Sequence, residues 1–381
     1  MFDVLIDDVK LLDLQTGKES RQQVALSQGK IAAILPAESL QPAARKIIQG
    51  KGAYLFPGFI DFHTHLFQHG SGFGMDADRL LTAGITTAVD MGSSGYANYP
   101  AFHQCDLVGK KVRVKAYLNI SPVGQPGKGI NEPLNKEVLS LEKMEEMLDR
   151  YPGEILGLKI RVSTNIVGDL KLEPLKTAVA FGEKLGLPVC VHTTNPPESA
   201  SAIAGVLRPG DIYCHLYHGV GRTILDPSGH VEKGVLQAKK DGLLFDLGNG
   251  KMNFNFAVAE AAIADGLFPD FISSDSTPAT FHHSELMWDL PRCMSKMLYL
   301  GMPLVEVIRS VTETPARVLG LDHRIGKIAE GYEADLTLCQ LQKGNIVFGD
   351  SSGEICNGSQ WLEPLKTLIA GRVVWEKGAV K

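Results

Sequence analysis

The chain has 381 residues, with 38 basic and 43 acidic side chains and a formal net charge of −5. Hydrophobic residues make up 44% and charged residues 21%, which supplies apolar material for a sizeable core and excludes a disordered chain. The mild negative charge leaves no basic footprint, which argues against nucleic acid as a main partner.

Residues 1–18 carry Asp3, Asp7, Asp8 and Asp13 where a signal peptide has a basic start and an apolar run, so the expected location is cytoplasmic. Next come short apolar runs at residues 4–6, 24–26 and 30–34, separated by turn chemistry such as Gln15-Thr16-Gly17 and Ser27-Gln28-Gly29. These read as strands. From residue 58 the pattern changes. Apolar runs at residues 58–62, 85–89, 112–118, 155–160, 188–191, 211–214, 243–247 and 271–274 alternate with helical patterns. Residues 139–150 form one such pattern, with Leu141, Met144 and Leu148 on one face and Glu142, Lys143 and Glu146 on the wet one. Residues 172–185 and 256–263 are two more. Strand–helix alternation indicates parallel βαβ units, and about eight of them fit a (β/α)8 TIM barrel. A doubly wound open sheet is the competing arrangement. Residues 334–338, 367–370 and 373–375 are again strand-like. The expected fold is therefore α/β: a TIM barrel over residues 56–323, with a small β-sandwich domain built from both termini, residues 1–55 and 324–381. No run of ~20 residues is apolar enough to span a bilayer. The six cysteines are scattered without a CxxC pair, which points to reduced thiols.

The polar residues that end the central apolar runs favour the barrel, because barrel chemistry sits at the carboxyl ends of the strands. Those ends read His63-Thr64-His65, Asp90, Lys159-Ile160-Arg161, His192, His215 and Asp275. His63 and His65 are two apart on a strand, so both imidazoles face one side and can reach one ion. His192 and His215 end consecutive strands, and four neutral imidazoles suit Zn2+ or a similar cation. Asp275 is either a cap for the next helix or a ligand that also moves a proton. Lys159 lies inside an apolar strand, where desolvation favours the neutral, nucleophilic amine. It is either a snorkelling or ion-paired lysine or, after adding carbon dioxide, an anionic carbamate able to bridge two cations. Arg161 shares its face and is placed either to bind a substrate carboxylate or to pair with a neighbouring acid. Ser94, Gly95 and His218 are further pocket candidates, Cys190 reads as core packing, and His282 and His283 read as surface or lid residues.

Three segments resemble the amidohydrolase superfamily: the opening run from Pro57 to His65, the run from Thr312 to Gly320, and the return from Gly326 to Leu336. The runs from Thr86 to Gly95 and from Gly157 to Ser163 are similar to the dihydroorotase-like amidohydrolase/deacetylase group. The resemblance implies a binuclear centre with two Zn2+ or similar cations. It would place His63, His65 and Asp275 on one cation, His192 and His215 on the other, and Lys159, as N6-carboxylysine, on both. Two positions depart from the group: His218 stands where Asn is common, and Asn249 where His is common.

The implied activity is a metal-dependent deacetylase that cleaves an amide or ester acyl group from a small carboxylate-bearing substrate, with Asp275 carrying the proton. A cyclic amidase of dihydroorotase type is the alternative. A non-catalytic metal scaffold and a nucleobase deaminase stand further off, the deaminase because its members mostly lack the lysine. The expected partner is an anionic small molecule, without nucleic acid or membrane, and the barrel surfaces leave room for a homo-oligomer.

Overall fold

The computed structural model describes residues 1–283 and 286–379. Residues 380 and 381, the end of the expected small domain, lie outside the described residues.

The chain opens with β1 (Phe2–Leu12), β2 (Glu19–Ser27), β3 (Lys30–Pro36), β4 (Ala44–Gln49) and β5 (Tyr54–Pro57). β2 and β3 pair with Ser27 opposite Lys30, joined through Gln28 and Gly29 at φ 52° and 75°. Two consecutive left-handed residues make the tight hairpin turn whose twist matches the flanking strands.

Seven parallel strands follow: β6 (Phe59–Thr64), β7 (Ile85–Gly95), β8 (Arg113–Asn119), β9 (Ile155–Arg161), β10 (Val189–His192), β11 (Ile212–Cys214) and β12 (Leu244–Asp246). They lie side by side in chain order. Helices lie between them or just beyond: Leu141–Arg150, capped by the Ser140 hydroxyl on Lys143 N at 3.3 Å; Glu173–Leu185; and, after β12, Phe256–Ala264, capped by Asn255 on Val258 N at 3.1 Å. Strands covered on both faces read as continuous apolar runs, which is why their positions show in the sequence.

The expected strand at residues 271–274 is different. Only single bridges form there, Phe271 to Asp246 and Ser276 to Thr64, so the segment touches both edge strands, β12 and β6, without a regular ladder. Backbone bonds, such as Leu247 N to the Phe271 carbonyl and Asp275 N to the His63 carbonyl, tie it to both neighbours, and side chains add to them. Ser273 Oγ donates to Asp246, and Ser274 Oγ donates to Asp61 Oδ2 at 2.5 Å.

The chain ends in β13 (Leu336–Gly349), β14 (Ile355–Ile369) and β15 (Arg372–Glu376). Strands from both termini pair, and hydrogen bonding joins them into one eight-stranded sheet, β15-β14-β13-β5-β1-β2-β3 with β4 on β1. β13 and β14 also run far beyond the expected short strands. Their distal halves put Ile346, Phe348 and Leu362 into the core of the parallel sheet and its helices. Ser295 Oγ, on the helix Leu290–Tyr299, accepts from Leu362 N at 2.9 Å. Strand alternation is interrupted there by a bulge between Lys343 and Ile346, which hides the strand from a period-two reading.

Candidate metal centre

The six residues read as ligands come from five segments and line one cavity of about 490 Å3 at the carboxyl end of the parallel strands. His63 is the penultimate residue of β6 and His65 follows the strand, with ring centroids 5.5 Å apart. Asp275 Oδ1 lies 3.2 Å from His65 Nε2 and 3.6 Å from His63 Nε2. The His215 ring is 5.1 Å from that of His63 and 4.3 Å from that of His192. Lys159 points in from β9, fully buried, with Nζ 3.5 Å from Cys190 Sγ.

The outer nitrogens of three histidines are occupied. His63 Nδ1 donates to Asp246 Oδ2 at 2.9 Å, His215 Nδ1 donates to the Gly248 carbonyl at 2.8 Å, and His65 Nδ1 bonds Ser93 Oγ at 2.9 Å. The carboxylate and carbonyl partners of His63 and His215 fix those two tautomers and leave Nε2 as the free donor atom. The supports are themselves fixed. Asp246 also accepts from Cys214 Sγ at 3.0 Å, and Ser93 N donates to Asp90 Oδ1 at 2.8 Å. Gly248 is required: at φ 48°, a Cβ there would lie 2.5 Å from His215 Nδ1.

Two of the six hold left-handed backbone, His215 at φ 64° and Asp275 at φ 53°. For residues with a Cβ this costs about 1–3 kcal/mol each, and it persists where the surroundings over-determine it. Here it aims both side chains inward.

Burial favours the neutral form of His63, His192 and His215. It holds His63 well below the ordinary histidine range, helped by the Lys159 charge, and His192 likewise, helped by His215. His215 is brought down to about 4, again chiefly by burial. Burial would raise Asp275, but the His63 and His65 rings outweigh it and keep the carboxylate ionised. At Lys159 burial favours the neutral amine, while the Cys190 and Cys214 sulfurs and the Asp246 and Asp275 carboxylates pull the other way and raise it. Neutral imidazoles and an ionised carboxylate around one small cavity are the donors that a pair of divalent cations takes, so the residues fit such ions.

The pocket candidates fare unevenly. Arg161 lines the cavity, but its Nη2 pairs with the buried carboxylate of Glu132, the neighbouring acid that was the competing reading. Ser94 and Gly95 are buried and do not line the cavity; the adjacent Ser93 is the one that reaches a ligand. A Cβ on Gly95 would lie 1.9 Å from the Ser121 carbonyl oxygen, so that glycine serves close packing. His218 is fully buried away from the cavity lining, and burial brings it down to about 4. Neither His218 nitrogen finds a hydrogen-bond partner of good geometry. Asn249, the second departure, accepts from Lys296 Nζ at 2.9 Å and takes no place in the cavity wall. Asp246, Ser93, Thr194 and Asn253 escaped the sequence reading. Asp246 alone carried a usable signal, since it ends an apolar run as the ligands do.

A family model described as the amidohydrolase family matches residues 54–374. The chain is 30% identical over 376 residues to a deacetylase of Agrobacterium fabrum, covering 97% of this chain and 91% of that protein. It is 29% identical over 371 residues to a deacetylase of Enterococcus faecalis, covering 96% and 98%. Among solved structures it is similar to an adenine deaminase, with a TM-score of 0.90, 27% identity and coverage of 99% and 100%. It is also similar to a dihydroorotase, with a TM-score of 0.88, 29% identity and 97% of each chain covered.

Proposed function

Because this chain belongs to the amidohydrolase family, we propose that it is a binuclear metal-dependent deacetylase. It removes an acyl group, as amide or ester, from a small carboxylate-bearing molecule. One observation carries the reading: His63, His65 and His215 each have Nδ1 engaged from behind, so their Nε2 atoms face the cavity that Asp275 also enters. Names of relatives supply the reaction class, since two deacetylases align with nearly the whole chain.

His63, His65 and Asp275 would hold one cation and His192 and His215 the other, with Lys159 shared as a carbamate; zinc is the metal we favour for such donors. Bound cations of this kind polarise a carbonyl and bring water within reach of deprotonation near neutral pH. The remaining work belongs to the chain. Asp275 takes the proton of the attacking water on its carboxylate and returns it to the departing nitrogen or oxygen. Arg161, beside Lys159 on the cavity wall, attracts the acidic group of the substrate, tempered by Glu132.

The architecture is read in the same way. Residues 271–276 serve as the eighth strand of a (β/α)8 barrel over residues 56–323. The segments 1–55 and 324–381 form a small β-sandwich around their own apolar cluster, which draws Ile6, Val24, Ile48, Leu336 and Leu368 from both ends of the chain.

Zinc-loaded protein assayed against N-acyl and O-acyl small acids, with dihydroorotate in parallel, tests the proposal. Acetate release is the expected result. Ring opening of dihydroorotate alone would overturn it in favour of a cyclic amidase, the second reading supported by the dihydroorotase likeness.

A further inference from the structure

Asp275 is held from behind by a loop that the ligand set does not include. Asn253 Nδ2 donates to Asp275 Oδ2 at 2.8 Å. Thr194 Oγ1 in turn donates to Asn253 Oδ1 at 2.7 Å. An ionised carboxylate has no proton to give, so only the amide nitrogen can face Asp275. The amide oxygen must then face Thr194, and its hydroxyl must be the donor. The chemistry of the three groups thus settles the amide orientation, which geometry alone leaves ambiguous. Asn253 and Thr194 are 7% and 8% exposed and both border the cavity, so little water competes for these bonds. Thr194 is anchored too, since Ser163 Oγ donates to its carbonyl at 2.7 Å.

The loop fits closely at this point. Gly250 has φ 46°, and a Cβ there would lie 2.4 Å from Asp275 Oδ2 and 2.6 Å from Asn253 Nδ2. Its own N–H bonds the Ser274 carbonyl at 3.0 Å, next to Asp275 in the chain. A side chain at residue 250 would push the amide and the carboxylate apart.

We propose that Asn253, oriented by Thr194, is a positioning residue. It fixes the rotation of the Asp275 carboxylate by holding Oδ2, so that Oδ1 faces His63 and His65. This rests on the metal-hydrolase reading of Asp275 given above. Without the Asn253 bond the carboxylate plane turns so that neither oxygen is aimed at the His63 and His65 Nε2 atoms, which would lower kcat and leave substrate binding largely intact. Outer partners of ligands in other sites are worth about 10- to 100-fold in affinity or activity.

The test compares wild type with Asn253→Ala, Thr194→Val and Thr194→Ser after loading with Co2+. In Asn253→Ala the visible Co2+ absorption shifts, and kcat falls about 10- to 100-fold with KM changed less than about threefold. Thr194→Val follows in the same direction with a smaller loss, and Thr194→Ser, which keeps the hydroxyl, restores both readouts. Unchanged absorption and kcat in Asn253→Ala would overturn the proposal, as would equal losses in the two Thr194 variants. A crystal structure of metal-free Asn253→Ala decides separately. A rotated Asp275 carboxylate supports the positioning role and an unmoved one refutes it. Wild type that binds Co2+ yet hydrolyses no acyl substrate would defeat the functional reading alone, leaving the spectroscopic and crystallographic results to judge Asn253.

Discussion

Two regions of the molecule bury their side chains for opposite purposes. The small cluster formed by the terminal strands is apolar throughout, and its backbone groups are satisfied by sheet ladders. The rim of the parallel sheet buries His63, His65, Lys159 and His215 at 5% exposure or less and bends Asp275 and His215 into left-handed backbone. One region converts burial into stability. The other gives up stability to hold polar groups ready for chemistry. Substitutions should therefore separate activity from stability according to where they fall.

The sharpest break in that contrast is expected at Asp275. Asp275→Asn should lower kcat by about 10^2- to 10^4-fold, the range for a lost general acid–base group. Its thermal midpoint should fall only slightly, because burial opposes the charge that the neighbouring imidazoles favour. Steady-state kinetics and calorimetry on the same preparation read both. Near-normal kcat would remove Asp275 from the proton path.

Leu336→Ala is the converse. Leu336 is fully buried in the terminal cluster, and truncation there should cost about 2–5 kcal/mol. Urea unfolding should show that loss while the folded variant keeps the wild-type kcat. A large fall in kcat at low denaturant would mean that the two regions are coupled.

Acid should act on the rim and its surroundings first. His218 is buried without a well-formed partner and held at about 4, below its ordinary 6.5. A histidine with a depressed folded value contributes its full share of stability above pH 6.5 and loses it as the pH falls towards 4. Wild-type stability should thus decline over that window, and His218→Gln should decline less. Parallel unfolding curves for the two proteins from pH 7 to 4.5 would contradict this.

The smallest effect is expected at Arg161. Glu132 already partners its guanidinium. Arg161→Ala should therefore raise KM for acidic substrates by a modest factor, about tenfold for a ~1.4 kcal/mol interaction, and raise it less for neutral ones. Equal changes for both classes would show that Arg161 only anchors Glu132.

Much of this arrangement was legible in the sequence, for a physical reason. Parallel strands covered on both faces are continuous apolar runs, so residues 155–160 and 188–191 map onto Ile155–Arg161 and Val189–His192 almost residue for residue. Polar side chains that end such runs stand out against them, and the six ligand candidates do meet in one cavity. What stayed hidden depends on distance along the chain or on side-chain bonding. Glu132 lies in a loop 29 residues from Arg161, with no periodicity to tie them together. Asn253 reaches Asp275 only because Gly250 lets the loop approach. Residues 271–274 look like an ordinary strand until Ser273 and Ser274 are seen to bond Asp246 and Asp61. Ser93 and Ser94 are adjacent on one strand, and only the bond to His65 shows which of them supports a ligand candidate.

Metal stoichiometry tests the central claim most directly. Purified protein resupplied with zinc and bicarbonate, freed of loose ions and analysed by elemental spectrometry, should hold two equivalents of zinc per chain, falling towards one or none in Lys159→Ala. Wild type that retains no stoichiometric metal after resupply would contradict the account.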